Sequence, residues 1–237
     1  TGGNARGNLD HAGRERGIQR LMTVNLLKRL ESSVEAFRIT LKKVDGSVDA
    51  ALGALDAHDD SLTNLATAFG DIEADDDDFA IPESGAVGNK FRVELADMDT
   101  VSWRRDLLND RETLRELVRE MERITSEHDS KLQRIIQQIE AKVAQPINEG
   151  NRKVLVFSAF ADTANYLYRE LTPALAAAGL DVGMVTGQSN ATSLGKRYDF
   201  QEILTLFSPR SKSKDLVMPN VNSKIDVLIG TDWISEG

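Results

Sequence analysis

The spacing of apolar residues changes its period near residue 150, and no other feature of the sequence constrains the fold as strongly. Up to that point apolar residues recur every three or four positions, as they do in amphipathic helices. Beyond it, short apolar runs alternate with helical segments, as in a domain built on a parallel sheet. Pro146 and Gly150 end the first region. We therefore predict a helical spacer over 1–150 and an α/β domain over 151–237.

Two long helices are predicted within the spacer, one from Ile18 to about Val44 and one from about Val101 to Val143. Because a loop-rich insert joins them, we expect them to pair through their apolar stripes. His128 falls on the second stripe and is expected to be packed there rather than to bind a metal. The other stripe residues are Leu27, Leu30, Val34, Phe37, Leu41 and Val44 in the first helix and Leu114, Leu117, Met121, Ile124, Leu132, Ile135, Ile139 and Val143 in the second.

The formal net charge of −9 is unevenly distributed along the chain. Residues 1–43 carry nine Lys or Arg against four Asp or Glu, whereas residues 44–100 carry two against fifteen. Acidic residues are densest in the loop 71–79, which we interpret as a solvated connection, with a specific docking role as the alternative. Because this acidic block masks a basic amino-terminal segment, the net charge argues neither for nor against a nucleic-acid partner.

The composition excludes several kinds of site. Cysteine is absent, which rules out disulfides and cysteine-based zinc sites. The three histidines share no ligand spacing, so no metal site is expected. No apolar run approaches the roughly 18 residues of a membrane span, and the polar, glycine-rich start is unlike a signal peptide. We expect a cytoplasmic protein whose chain was cut or processed before Thr1.

The second region predicts three buried strands of a parallel sheet. They are Lys153–Phe157, Val182–Val185 and Ile225–Ile229, connected by helices over Ala161–Ala178 and Phe200–Phe207. The strand–helix order favours right-handed βαβ units. Three strands make an incomplete sheet, so we expect this domain to be cut short.

Hydroxyl and glycine residues follow each predicted strand, where ligands of open parallel sheets bind. Ser158 and Thr163 follow the first strand, Thr186 and Gly187 the second, and residues 230–237 the third. Such groups hydrogen-bond phosphate oxygens without reading bases. Each has an ordinary alternative: Ser158 is equally suited to capping a helix, and Thr186–Gly187 to forming a turn.

The order and spacing of these tracts resemble a known family. Asn151–Leu171 (NRKVLVFSAFADTANYLYREL) resembles motif IV of superfamily 2 helicases, and Val185–Gly187 looks like the next conserved block of that family. Ile225–Gly237 (IDVLIGTDWISEG) is similar to motif V of the bacterial Swi/Snf-like branch, except that Trp233 replaces a residue that is usually aliphatic. The segment at 26–37 resembles the helix that leads into the second motor domain. The resemblance covers residues 18–44 and 151–237, whereas 45–150 match no motif.

The resemblance implies an α/β fold in which an incomplete RecA-like parallel sheet with flanking helices follows the long-helix spacer. Ser158, Thr186, Gly187 and Thr231 would contact the backbone of the tracked strand. The strand would be nucleic acid, with DNA as the expected partner. The residues at the ATP cleft, which couple nucleotide state to the strand, would be Asp232, Glu236 and Gly237.

Three basic residues near the third strand are candidates for the same interface. We expect Arg210, Lys212 and Lys214 to supply positive charge to the strand contacts, and the alternative is that they only solubilise a loop.

The chain lacks the groups that phosphoryl transfer requires. It contains no G-x-x-x-x-G-K-[ST] phosphate loop and no D-E-x-H-like tetrad, and the arginine motif of the family would follow Gly237. ATP and Mg²⁺ would therefore serve the parent protein, together with the missing first RecA-like domain. We expect no catalytic residue in this chain and no activity from it alone.

The sequence is compatible with two other functions. One is a non-enzymatic interaction module, a helical hairpin carrying a small α/β domain, against which the motif V resemblance argues. The other is a flavodoxin-like nucleotide-binding domain. The second is disfavoured because the loop after the first strand contains no glycine.

Overall fold

A computed structural model describes residues 11–57 and 99–231 of the chain. Two sets of predictions lie outside the described residues. They are the acidic loop 71–79, and the coupling residues Asp232, Glu236 and Gly237.

The described part of the helical region contains four helices where the sequence predicts two. They are α1 (His11–Ser32), α2 (Val34–Ala57), α3 (Thr100–Glu122) and α4 (Ser130–Ala144). Each unpredicted break carries a capping side chain. The Ser33 hydroxyl accepts a hydrogen bond from Ala36 N at 3.1 Å, and Asp129 accepts from the amides of Lys131 and Leu132. The apolar spacing continues across both breaks, and so periodicity alone conceals them.

The predicted stripe is wrong along α1. Leu27 is 59% exposed and Leu30 is 40% exposed, whereas Asn25 and Arg29 are buried. Polar residues are buried on this face of α1 because it packs against the first turn of the helix Ala161–Ala176, which carries Asp162 and Thr163. Leu41, on α2, is buried as predicted.

His128 is also not packed as predicted. It lies in the turn between α3 and α4, is exposed, and its Nδ1 is 2.9 Å from the Thr125 hydroxyl. The prediction for His128 requires a continuous helix, but the helix ends at Glu122 and the next begins at Ser130, so His128 lies on no helix face.

Helices α2 and α3 pair as predicted, but largely through charged groups. None of the residues of α3 is buried. Arg115 contacts Asp45 and Asp49, Arg111 also contacts Asp49, and further ion pairs join Arg104 to Asp56 and Lys42 to Glu122. Exposed pairs of this kind stabilise a protein weakly, so these ion pairs add little to the stability of the contact between α2 and α3.

Within the described ranges the sheet contains four strands, and across the sheet their order is first, fourth, second and third in the chain. They are β1 (Val154–Phe157), β2 (Val182–Val185), β3 (Asn190–Thr192) and β4 (Val227–Gly230). The predicted strands are confirmed as parallel neighbours, since β4 pairs in parallel with both β1 and β2. The strand β3, which the sequence analysis missed, pairs antiparallel with β2 and makes the sheet mixed.

Helices cover both faces of this sheet. Helix α5 (Ala161–Ala176) buries Ala164, Leu167, Leu171 and Leu175, as predicted, and packs with α4 on one face. Helix α6 (Phe200–Phe207) packs on the other face, and the short α7 (Lys214–Val217) follows it. The fold is therefore a mixed α/β arrangement with a small sheet between helices.

Helix α4 belongs to the same core as the sheet, although it precedes residue 150. Its Leu132 and Ile139 are each 2% exposed and pack with α5 residues and with Val182 and Val227 of the strands. The domain division at residue 150 stays a prediction.

Gly183 shows how closely the second face is packed. A Cβ at this position would lie 2.9 Å from Ile225 Cδ1, so any side chain there would displace the residue that leads into β4. Within the ranges 11–57 and 99–231, no helix is long and apolar enough to cross a membrane.

Candidate functional site

The three hydroxyl residues predicted to contact a strand lie side by side at one edge of the sheet. The register places Phe157, Gly230 and Val185 opposite one another at the carboxyl ends of β1, β4 and β2. Ser158 N then donates to Gly230 O at 2.9 Å, and Thr231 N donates to Val185 O at 3.3 Å. Adjacent strands lie about 4.8 Å apart, so Ser158, Thr231 and Thr186 form a short row.

The hydroxyl of Ser158 forms a local turn rather than a helix cap. It accepts a hydrogen bond from Phe160 N and donates to Phe160 O, both at 3.2 Å. Phe160 occupies the N-cap position of α5 and provides no side-chain hydrogen bond to the first turn. The Thr163 hydroxyl binds Ser32 and Ser33 instead of the α5 amides. The capping alternative is therefore wrong for Ser158, and Thr163 does not cap α5 either.

The hydroxyl of Thr186 is used inside the turn between β2 and β3. It donates to Ser189 O at 3.0 Å and accepts from the amides of Gln188 and Ser189. Gly187 is exposed in the same turn. The turn-forming role of Thr186 is thus present in the structure, and residues 187–190, which follow it, are exposed to solvent.

Thr231 differs from the other two residues of the row. It is 9% exposed, and its hydroxyl makes no hydrogen bond to any other residue of the described chain. Because the hydroxyls of Ser158 and Thr186 already donate within the chain, Thr231 is the residue of the row that is best placed to bind an external acceptor.

The basic residues lie at the opposite, amino edge of the sheet. Lys214 Nζ donates to Val221 O, and its charge acts on Lys153, which precedes β1. Burial lowers the pKa of Lys153, and the neighbouring Lys224 and Lys214 add to this effect while Asp226 opposes it. Asp226 in turn directly precedes β4.

The two edges are well separated. Each parallel strand has four residues, which at about 3.3 Å per residue places the amino and carboxyl edges on the order of 10 Å apart. Arg210 and Lys212 are exposed and precede Lys214 in the same connection. The structure brings Ser158, Thr186, Gly187 and Thr231 together and does not bring the three basic residues to them.

A buried arginine next to the carboxyl edge was missed by the sequence analysis. Arg29, 1% exposed, lies with Nη1 3.2 Å from Asp162 Oδ2 and with its guanidinium 4.8 Å from the centre of the Phe160 ring. Ser32 and Ser33 each place a hydroxyl 2.8 Å from that of Thr163. The signal was present: Asn25, Arg29 and Ser33 recur every four residues and form a polar face on α1.

Comparison with known proteins adds no relative to this description. The chain matches no family model, no curated protein and no solved structure.

Proposed function

We propose that the chain is part of an ATP-dependent Swi/Snf-like helicase or nucleic-acid translocase, to which it contributes strand-contacting residues of motifs IV and V. In this proposal the small sheet is part of a RecA-like domain. ATP, Mg²⁺ and a first RecA-like domain would belong to the parent protein, and the tracked strand would be DNA. The coupling roles of Asp232, Glu236 and Gly237 belong to the same proposal.

One observation carries the proposal. Three sequence tracts that resemble helicase motifs end at the same edge of one sheet, with Ser158, Thr186 and Thr231 in a row. Within this row the hydroxyls of Ser158 and Thr186 donate to carbonyls of their own loops, which leaves the Thr231 hydroxyl as the donor for a phosphate. A hydroxyl contact of this kind holds the backbone of a strand and does not select bases. Arg210, Lys212 and Lys214 do not belong to this row, and a separate measurement is needed for them.

The test is a titration of a labelled single strand with the whole chain. Thr231→Ala removes the hydroxyl that has no partner in the described chain, and we expect it to weaken binding by about tenfold, since a hydrogen bond to a charged group is being lost. The slope of affinity against salt should not change, because a neutral hydroxyl displaces no counterion. Thr205→Ala is the matched control: Thr205 is also buried, but its hydroxyl donates to Gln201 O within α6.

A second variant tests whether the nucleic-acid strand binds at the carboxyl or at the amino edge of the sheet. Each phosphate neutralised by a lysine contributes about −0.7 to the salt slope on a single strand. If the strand stays at the carboxyl edge, the double change Arg210→Ala/Lys212→Ala leaves affinity and slope unchanged. A shallower slope with this variant, combined with an indifferent Thr231→Ala, would overturn the assignment of the carboxyl edge.

The alternative function is a non-enzymatic interaction module. The observation in its favour is that α3 buries none of its residues and exposes Val101 and Leu117. Under this alternative the whole chain binds no single strand at low salt, and Thr231→Ala has no effect on any interaction.

A further inference from the structure

A cavity of about 450 Å³ opens at the carboxyl end of β1, next to Ser158. It lies between the α1–α2 junction on one side and α4 and α5 on the other, and we name it the β1 cavity. Its size falls within the range of roughly 300–1,000 Å³ that small-molecule sites occupy. Its lining includes Ser32, Lys131, Leu132, Val156, Phe157 and Ser158.

The hydroxyl groups at one end of the β1 cavity have one hydrogen more than their mutual contacts use. Ser32, Ser33 and Thr163 carry three hydroxyl hydrogens, and two contacts of 2.8 Å join them through Thr163. The Ser33 hydroxyl also accepts a hydrogen bond from Ala36 N. In this bond the amide is the donor, so none of the three hydroxyl hydrogens is used. Whichever way the two contacts are oriented, one hydroxyl hydrogen has no acceptor within the described chain. This end of the cavity therefore offers a donor.

A lysine ammonium adds a second donor at the same place. Lys131 Nζ donates to Glu31 O at 2.6 Å and to Ser32 O at 3.0 Å. An ammonium group has three hydrogens, so a third is left after these two bonds. The two carbonyl contacts also fix the position of the charge, which removes much of the entropy cost that a mobile lysine has on binding a ligand.

Two carboxylates also line the cavity, and they differ in their effect. Asp129 is buried and already accepts from Lys131 N, Leu132 N and the Tyr166 hydroxyl. Glu31 lies at the same end as Lys131 and opposes an anion there. Lys28 also lines the cavity, so the positive charges of Lys28 and Lys131 balance the two acids.

The rest of the wall is apolar and includes an accessible aromatic residue. Leu132 and Val156 contribute aliphatic surface, and Phe157 is 52% exposed. A site with donors at one end and apolar walls elsewhere suits a ligand that combines an oxyanion with a flat, weakly polar body. A nucleotide has this chemistry.

We infer that the β1 cavity holds one nucleotide unit, with its phosphate at the Ser32–Lys131 end and its base against Phe157 and the apolar wall. The inference rests on the proposed function, because Ser158 connects the cavity to the row of residues that would contact the strand. The unit is either an unstacked residue of the bound strand or a free nucleoside monophosphate.

The decisive comparison uses two labelled strands, one normal and one that carries sugar and phosphate without bases. Phe157→Ala should weaken binding of the normal strand by about tenfold, as expected for loss of one base–aromatic contact, and leave the abasic strand unaffected. Leu155→Ala is the matched control, because Leu155 is 42% exposed on the same strand and does not line the cavity. Equal loss for both strands, or equal effects of both variants, would overturn the inference.

A second pair of variants tests the phosphate end. Lys131→Ala should weaken binding of the strand and make its salt slope shallower by about 0.7, whereas Arg134→Ala, one turn further along α4 and exposed, should do neither. An identical response of the two variants excludes the assignment of Lys131.

The two proposals fail in different ways. If the wild-type chain binds both strands equally and Thr231→Ala weakens both, the proposed function holds and the cavity inference is wrong. If the chain binds no strand, the proposed function is wrong, and binding of adenosine monophosphate is measured alone. Saturable binding of the monophosphate that Phe157→Ala and Lys131→Ala abolish supports the cavity as a free-nucleotide site, and no binding overturns it.

Discussion

A single carboxylate holds the buried charge of Arg29. The guanidinium contacts Asp162 on one side and the Phe160 ring on another, and its Nε has no partner within the described chain. Asp162 is 21% exposed, so water partly solvates the acid but hardly reaches the arginine. Asp162 and Arg29 therefore differ in how well water solvates them, and we expect replacing one to change the stability of the fold by a different amount from replacing the other.

We predict that Asp162→Asn destabilises the fold more than Arg29→Met does. The first change leaves a buried cation without its counter-charge, a loss of about 3 kcal/mol. The second fills the same volume with an apolar chain and leaves a carboxylate that water and the amino end of α5 stabilise. Urea denaturation measures both. Arg105→Ala, which removes an exposed pair with Asp106, is the control and should have little effect.

Tyr166 predicts a specific response to alkaline pH. Burial raises its pKa, and the hydrogen bond to Asp129 raises it further. The folded state therefore keeps the proton at pH values where the unfolded chain, with a pKa of about 10, has lost it. The stabilisation is fully present below pH 10 and is lost as pH rises above it.

The measurement is the urea midpoint as a function of pH from about 8 to 11. The wild-type midpoint should fall above pH 10, and Tyr166→Phe should show a smaller fall, at the cost of about 1 kcal/mol below pH 10 for the lost hydrogen bond. Parallel curves for the two proteins would show that Tyr166 does not contribute to the alkaline loss.

Among the helices, two leucines of the predicted apolar stripes differ strongly in solvent exposure. Leu132 on α4 is 2% exposed, whereas Leu30 on α1 is 40% exposed. We predict that Leu132→Ala costs about 2–5 kcal/mol of unfolding free energy and that Leu30→Ala costs less than about 1 kcal/mol. Thermal or urea denaturation decides this, and comparable losses for the two variants would contradict the packing described for α1.

Strands and helices of the α/β part were predictable because their apolar runs are short and bounded. Strand β2 and helix α6 have the predicted limits, and β1 and β4 differ from theirs only at their ends. Strand β3 was missed because its three residues, Asn190–Thr192, are polar or small and carry no alternation. The breaks between helices were not predicted because a single capping side chain marks each of them. The apolar periodicity is averaged over many residues and continues across the break.

At the scale of the whole molecule, the candidate site was predictable only in part. The sequence places hydroxyl residues after each strand, and a parallel sheet necessarily collects those positions at one edge. The same topology places the connection from α6 to β4 at the opposite edge, so the assignment of Arg210, Lys212 and Lys214 to the strand contacts overlooked where that connection must lie. The polar face that contains Arg29 is visible in the sequence, but its partner Asp162 is not, because the two residues are distant along the chain.

The whole chain is expected to show no nucleic-acid-stimulated ATP hydrolysis. Its sequence contains neither the phosphate loop nor the arginine motif that phosphoryl transfer by such motors requires. A coupled assay with and without single-stranded DNA checks this. Turnover that a point change within residues 1–237 abolishes would show that the chain has a catalytic centre of another kind.

The position of β4 has a consequence for how the protein is made. It lies between β1 and β2 in the sheet, yet it is the last strand of the described chain, and Val154 pairs with Val227. A ribosome therefore releases β1 long before its partner strand. The nascent chain then carries β1 without a neighbour, and Val154 and Val156, which pack against the core in the folded protein, are in contact with water. Such late, long-range pairing is slow and leaves strands prone to association. Chaperone contact during synthesis should accordingly be concentrated between the emergence of β1 and the release of β4.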